Sequence, residues 1–156
     1  MKKLITTIIL FLSILNIWGT DEVKDLTIKI DDQFTFITNK KLTIEVEFII
    51  PEGQNIYISP LNDKSFSYFT KFKITDEDNI FKITKIKNPK GEKKGDDYIL
   101  KKKGSYFIEI TNTKSILTDK INLFLEIDTQ ICNYKTNICY APYKFKKKIT
   151  LNVEKK

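Results

Sequence analysis

The sequence contains no arginine and no histidine, and all 27 of its basic residues are lysine. Without histidine, the chain cannot build a Ser-His-Asp or Cys-His nucleophile or an imidazole metal site. Without arginine, it cannot read guanine through bidentate guanidinium contacts. Glycine and proline are also scarce, with five and four residues, which excludes a collagen-like or linker-like protein.

The residues that are present suit one globular domain. The chain has 156 residues, of which 41% are hydrophobic and 12% aromatic, enough to bury an ordinary core. Its net charge is +7, and lysine runs occur at 101–103 and 146–148. We interpret these runs as solvated edges or turns that discourage sheet aggregation. A nucleic-acid partner is not expected, because the first segment of the chain indicates export.

Residues 1–19 have the layout of a secretory signal peptide. Lys2 and Lys3 precede an apolar stretch from Leu4 to Ile17, which is shorter than the roughly 20 residues that span a bilayer. We predict cleavage after Gly19 and a single domain over residues 20–156. The alternative is an uncleaved amino-terminal anchor, which would be the only membrane contact. The expected location is the periplasm or cell envelope.

After residue 20 the pattern is that of strands. Leu42, Ile44, Val46 and Phe48 alternate with polar residues, which is typical of a half-buried strand. Turn residues separate similar segments, and no crossover helix is visible, so the fold class predicted is an all-β antiparallel sandwich. The expected strands, eight to ten in number, cover residues 26–30, 34–37, 42–50, 55–59, 69–74, 80–86, 98–100, 106–110, 121–127 and 143–153. We expect one long surface loop at 87–97 and a turn at 101–104.

The two cysteines are the residues with the clearest chemistry. Cys132 and Cys139 flank a segment of turn composition, and we expect Cys132 at the end of the strand that starts at Ile121 and Cys139 at the start of the last strand. A hairpin would bring the two sulfurs within bonding range. Spacing leaves two interpretations open: a structural disulfide, or a redox pair whose thiolate Lys135 and Lys144 would favour. Two thiolates without histidine disfavour a metal site.

The segments around the cysteines resemble a known family. Residues 130–132 read Gln-Ile-Cys, residues 139–142 read Cys-Tyr-Ala-Pro, and a basic alternating strand follows. This pattern resembles the amino-terminal periplasmic domain of the DsbD thiol:disulfide interchange proteins. Residues 52–57 and 87–91 resemble two further segments of that domain, so the likeness covers about residues 40 to 153. The six residues between the cysteines exceed the four or five expected in the family.

The resemblance implies an immunoglobulin-like sandwich with the cysteine pair at one end, acting as a redox relay. Cys139 would form the mixed disulfide with partners, and Cys132 would be the resolving thiol. Tyr98 would be the aromatic of a covering loop, and Tyr140 and Pro142 would support the site. The implied partners are thioredoxin-fold proteins and a separate membrane electron-transfer protein, and the relay requires no cofactor.

A second hypothesis is a non-catalytic module of the cell envelope. In that interpretation the disulfide is structural, and exposed strands or the lysine-rich face bind partners. A hydrolase is not expected, because the adjacent carboxylates at Glu45 and Glu47, and at Asp96 and Asp97, are explained by solvation.

Overall fold

The computed structural model describes residues 26–63, 65 and 67–155, and every regular element in this part of the chain is a strand. The twelve strands are β1 (Thr27–Lys29), β2 (Gln33–Ile37), β3 (Leu42–Ile49), β4 (Gln54–Pro60), β5 (Lys71–Asp76), β6 (Phe81–Lys87), β7 (Glu92–Lys94), β8 (Asp97–Leu100), β9 (Lys103–Asn112), β10 (Lys120–Thr129), β11 (Ile131–Asn133) and β12 (Tyr143–Glu154). The signal peptide predicted at residues 1–19 lies outside the described residues. Among the residues described, no helix has the length and apolar character needed to cross a membrane.

The strands form three four-stranded sheets. The first sheet has the order β1-β3-β9-β6, the second β2-β12-β10-β5, and the third β11-β4-β8-β7. All pairings between these strands are antiparallel except that of β2 with β12, which is parallel. The predicted all-β fold, with antiparallel sheets forming a sandwich, is confirmed; the parallel pair was not foreseen.

Alternation along β3 explains why this segment is a strand of a sandwich. Ile44, Val46 and Phe48 are fully buried, whereas Glu45 and Glu47 are on the outer face. Since successive side chains of a strand point to opposite faces, this sequence can bury one face only as a strand. Glu47 lies within 2.7 Å of the Lys103 amine, which lowers the pKa of this carboxyl by hydrogen bonding.

The hydrophobic core lies between the first and second sheets. Ring contacts join them directly: Phe36 meets Phe81 edge-on at 5.0 Å, and Phe72 lies 4.8 Å from Tyr106. The third sheet closes one end of this core with Ile56, Leu100 and Ile131, among others. One continuous core therefore supports all three sheets, including the strand that carries Cys132.

Two predictions about the chain between β6 and β9 are wrong. Residues 87–97 are not one loop, because β7 lies within them and β8 begins at Asp97. The turn predicted at 101–104 is shorter, since β9 begins at Lys103. β7 reads Glu-Lys-Lys and has no apolar alternation to reveal it; it pairs through its backbone at the edge of the third sheet, where lysine is common.

Candidate functional site

The cysteines are positioned by an abrupt change of sheet. β10 ends at Thr129 in the second sheet, and after the single residue Gln130 the chain enters β11 in the third sheet. The Gln130 side chain donates a hydrogen bond from Nε2 to the Tyr140 carbonyl at 2.8 Å, joining the two ends of the cysteine segment. Cys132 is the central residue of β11, not the end of the strand from Ile121 as predicted. Cys139 precedes β12 by four residues and is not its start.

The segment around Cys132 and Cys139 forms a small hairpin closed by a disulfide. The two residues are antiparallel bridge partners, with Cα atoms 3.9 Å apart, and their sulfurs are bonded. Backbone hydrogen bonds flank them on both sides, from Asn133 N to Ile138 O at 2.8 Å and from Tyr140 N to Ile131 O at 2.9 Å. The cysteines thus occupy a non-hydrogen-bonded pair, the position where side chains of facing strands come closest. The predicted pairing is confirmed.

The turn between the cysteines is held by its own asparagines. The Asn133 side-chain oxygen accepts hydrogen bonds from the amides of Lys135 at 2.9 Å and Thr136 at 3.1 Å. Asn137 has a φ of 58° and donates its amide to the Asn133 carbonyl at 2.9 Å. Asparagine tolerates this left-handed conformation and forms such local bonds readily. The turn predicted from the composition of residues 133–137 is therefore confirmed, and its geometry brings Cys139 back beside Cys132.

The two cysteines lie in different environments. Cys132 is only 1% exposed, between β4 and the returning chain, whereas Cys139 is exposed. Ile138, next to Cys139, is 58% exposed and is one of the larger apolar side chains left at the surface. Of the two bonded cysteines, Cys139 is therefore the one at the surface of the protein.

The hairpin rests on the connection that precedes β4 and on the one that precedes β9. The Tyr134 amide donates to the Gly53 carbonyl at 3.2 Å, and the Lys101 amine lies 5.0 Å from the centre of the Tyr134 ring. Lys101 is also paired with Glu92, with the amine and carboxylate 2.8 Å apart. These contacts fix the turn while they leave Cys139 accessible.

The other residues predicted for the site lie on several different elements. Tyr140 is half-buried against the core, and Pro142 is exposed three residues after Cys139. Tyr98 is on β8, opposite Lys93 and Ser59, so β4 separates it from β11. Its role as a covering aromatic stays a prediction. Lys135 is exposed in the turn, and Lys144 is on β12 opposite Asp128.

Two buried polar residues on β4, the strand that pairs with β11, could not be recognised from the sequence. Asn55 on β4 is directly opposite Cys132, and Gln54 is opposite Asn133. Both are buried, although their types predict a surface position. On the same face of β4 as Asn55, Tyr57 meets Phe69 edge-on, with ring centres 6.4 Å apart. Nothing in the linear sequence indicates that Gln54 and Asn55 are buried, because they lie where a turn meets the predicted strand 55–59, and polar residues at such a boundary are usually exposed.

Among the described residues, no three or more cysteine, aspartate or glutamate side chains lie together in a way that could hold a metal ion. The bonded sulfurs are the chemically distinctive groups of this hairpin. In the disulfide state they can accept a nucleophilic thiolate, and in the dithiol state they can act as one.

No family model matches the chain, and no curated protein sequence matches it. Among solved structures, the reduced amino-terminal domain of DsbD from Neisseria meningitidis is 16% identical, covering 70% of this chain and 77% of that one, with a TM-score of 0.43. The chaperone DraB of E. coli is 10% identical over 84% of this chain and 55% of its own, with a TM-score of 0.42. Murine CRIg is 12% identical over 84% and 99%, with a TM-score of 0.40. Likenesses at these values carry no conclusion about function, which rests on the residues of the hairpin.

Proposed function

We propose that this protein exchanges its Cys132–Cys139 disulfide with thiols and disulfides of other exported proteins, with Cys139 as the sulfur that partners meet. The observation that carries the proposal is the unequal exposure of the two bonded cysteines, since Cys139 is exposed and Cys132 is buried. A dithiol carrier needs this division, because one sulfur must reach the partner and the other must remain close enough to displace it.

The exchange balances as a two-electron transfer. In the dithiol form, the Cys139 thiolate attacks a partner disulfide; one partner sulfur leaves as a thiolate, and a mixed disulfide forms. Cys132, as a thiolate, then attacks the Cys139 sulfur, the bond to the partner breaks, and the second partner sulfur leaves as a thiolate. The partner gains two electrons and takes up protons from solvent, and this protein is left as the disulfide. A donor dithiol reverses the sequence and restores the carrier.

Two further features support this function. Exposed Ile138 beside Cys139 offers an apolar contact to a docking partner. The resemblance of residues 130–132 and 139–142 to the DsbD amino-terminal domain favours thioredoxin-fold partners and a separate membrane protein as electron donor. A disulfide that persists also favours a place outside the cytoplasm, and we propose the periplasm or cell envelope.

The reduction potential of the Cys132–Cys139 pair tests the proposal. The purified protein is equilibrated in glutathione or dithiothreitol buffers of defined potential, and its free thiols are trapped and counted. A potential between about −180 and −270 mV is expected, the range of exchange-active proteins. A potential below about −300 mV would contradict the proposal and favour the alternative, an envelope binding module with a structural disulfide.

Single-cysteine variants test the division of roles. Cys132→Ser should accumulate a stable mixed disulfide with a thioredoxin-fold substrate or with oxidised glutathione, because the resolving thiol is absent. Cys139→Ser is the matched control and should trap far less, since its remaining sulfur is enclosed. Equal trapping by the two variants, seen by mass spectrometry, would contradict the assignment of Cys139 as the entry point.

A further inference from the structure

The Asn55 side chain is buried without a hydrogen-bond partner. It is 0% exposed, and neither Oδ1 nor Nδ2 has a partner in the structure. An amide that is buried without a hydrogen bond has lost its bonds to water at a cost to stability, which makes such groups rare and calls for a physical reason. A leucine of nearly the same shape would avoid this cost. Asparagine at this position therefore lowers the stability of the fold relative to an apolar residue.

Asn55 is the cross-strand neighbour of Cys132. The two are paired in the register of β4 with β11, and directly opposed residues have Cβ atoms about 4.5–5.5 Å apart. Because they are opposed, their side chains are on the same face of the third sheet, away from the core face that carries Ile56 and Ile131. Cys132 therefore lies between Cys139 on one side and Asn55 on the other.

The need for an amide at this place depends on the redox state. In the disulfide, the Cys132 sulfur is neutral and a weak acceptor, so it gains little from a hydrogen-bond donor such as the Asn55 amide. Once the bond opens, the enclosed Cys132 must carry a negative charge, as the attacking thiolate in one direction and as the leaving thiolate in the other. Burial alone disfavours that charge and raises the pKa of the thiol.

We propose that Asn55 is a positioning residue, whose side-chain Nδ2–H donates a hydrogen bond to the Cys132 thiolate whenever the disulfide is open. The inference rests on the proposed function and names the group that makes the buried sulfur usable in it. The bond lowers the pKa of the Cys132 thiol and orients its sulfur toward Cys139. The amide that has no partner in the disulfide state is thus the donor that stabilises the thiolate in the open state.

Neither Lys101 nor Lys135 replaces Asn55 as a partner of the Cys132 thiolate. The Lys101 amine is already paired with Glu92 and lies against the Tyr134 ring, and Lys135 is exposed in the turn. Gln54, the neighbour of Asn55, is on the opposite face of β4 and is opposite Asn133. Gln54 is also buried with an unpartnered oxygen, which makes it a matched control.

The test uses Asn55→Leu, which keeps the volume and removes the donor, beside Gln54→Met, which does the same on the other face. In a Cys139→Ser background, only Cys132 titrates as a thiol, and its thiolate is followed by absorbance near 240 nm against pH. We expect Asn55→Leu to raise the Cys132 pKa by about one to two units, as the loss of one bond to a charged group predicts. Gln54→Met should leave it unchanged.

Kinetics supply a second readout with both cysteines present. The reduced protein is mixed with oxidised glutathione, and the mixed disulfide is followed by mass spectrometry. Asn55→Leu should leave the first step, at Cys139, unaltered and slow the resolving step about three- to tenfold at pH 7, because the loss of thiolate is partly offset by greater intrinsic nucleophilicity. Asn55→Thr, which keeps a hydroxyl donor, should recover part of the rate and also serves if the leucine variant does not fold.

A Cys132 pKa that is unchanged in Asn55→Leu, or raised equally in Gln54→Met, would overturn the inference. A purely structural role for Asn55 predicts a change of stability without a shift in the pKa. The pKa measurement needs no partner protein, so its failure is distinguishable from failure of the exchange function itself.

Discussion

Asn137 illustrates how a single residue fixes the cysteine turn. Its φ of 58° places it in the left-handed region, and its amide bonds to Asn133. Asn137→Val should destabilise the oxidised protein by about 1–2 kcal/mol, because a β-branched residue is strained there, whereas Asn137→Gly should be nearly neutral. Urea unfolding of both variants checks this, and equal midpoints would show that the turn does not depend on this conformation.

Tyr106 gives the core a sensitivity to alkali. Burial raises the pKa of this phenol to about 12, against an ordinary value near 10. Between these pH values the phenol is deprotonated in the unfolded chain and protonated in the folded chain. The stability that depends on the neutral phenol is therefore fully present below about pH 10 and is lost as the pH rises through 12.

Tyr106→Phe should remove this alkaline loss. We expect the free energy of unfolding of the unaltered protein to fall by about 2 kcal/mol more than that of the variant between pH 9.5 and 12. Denaturant unfolding at several pH values measures the difference. Parallel pH curves for the two proteins would contradict the assignment of this loss to Tyr106.

At the scale of elements, the cysteine hairpin is a short closed loop. Replacing Cys132 and Cys139 together by alanine should cost about 2.5 kcal/mol, the chain-entropy value for a loop of this length. The double variant is compared with the unaltered oxidised protein by urea unfolding, and reduction with dithiothreitol supplies the control in the unaltered chain. A loss above about 5 kcal/mol would mean that the disulfide holds the sandwich as a whole and would argue against easy exchange.

The hairpin of β7 and β8 depends on a close approach at Gly91. A Cβ on this residue would lie 2.9 Å from the Ile99 carbonyl oxygen and 2.6 Å from the Ile58 side chain. Gly91→Ala should therefore destabilise the protein by about 1–3 kcal/mol, since backbone must shift. Lys90→Ala, at the exposed neighbour, is the control and should fall within about 0.5 kcal/mol of the unaltered protein. Similar midpoints for the two variants would indicate that the edge hairpin gives way easily.

The strands that the sequence predicts most accurately are long strands with one buried face. β3, β10 and β12 alternate over many residues, and their predicted bounds differ by few residues from those observed. β7 and β11 have three residues each and, unlike the equally short β1, do not lie in a longer alternating segment, so no period can be recognised. β7 depends on a hairpin with β8, and β11 depends on β4, which lies far away in sequence. The distant partner of β11 is the reason why the sequence alone places Cys132 on the wrong strand.

At the scale of the whole molecule, stability resides in the core shared by the sheets. Leu125 on β10 is fully buried, whereas Leu117 is 87% exposed. Leu125→Ala should cost about 2–5 kcal/mol through lost burial and a residual cavity, while Leu117→Ala should change the free energy of unfolding by less than about 0.5 kcal/mol. Denaturant unfolding of the two variants, followed by circular dichroism, measures these losses. Equal losses in free energy of unfolding would contradict the observed core.

The site was only partly visible in the sequence. Cys132 and Cys139 could be paired on spacing and turn composition, and the bond is present. Their unequal exposure could not be foreseen, because it arises from the passage of the chain between two sheets at Gln130. Asn55 was hidden for a related reason: its burial depends on β11, which comes much later in the chain, and a polar residue gives no pattern from which to infer it.

The cysteine hairpin also finishes one side of the third sheet. The outward backbone groups of β11 bond to Ile138 and Tyr140, and a few residues later comes Pro142, which has no N–H to offer another strand. A bare edge here would be a template for self-association. Since these bonds join backbone atoms and not sulfur, opening the disulfide need not uncover the edge. The protein would thus resist fibril growth and precipitation in both its oxidised and its reduced state.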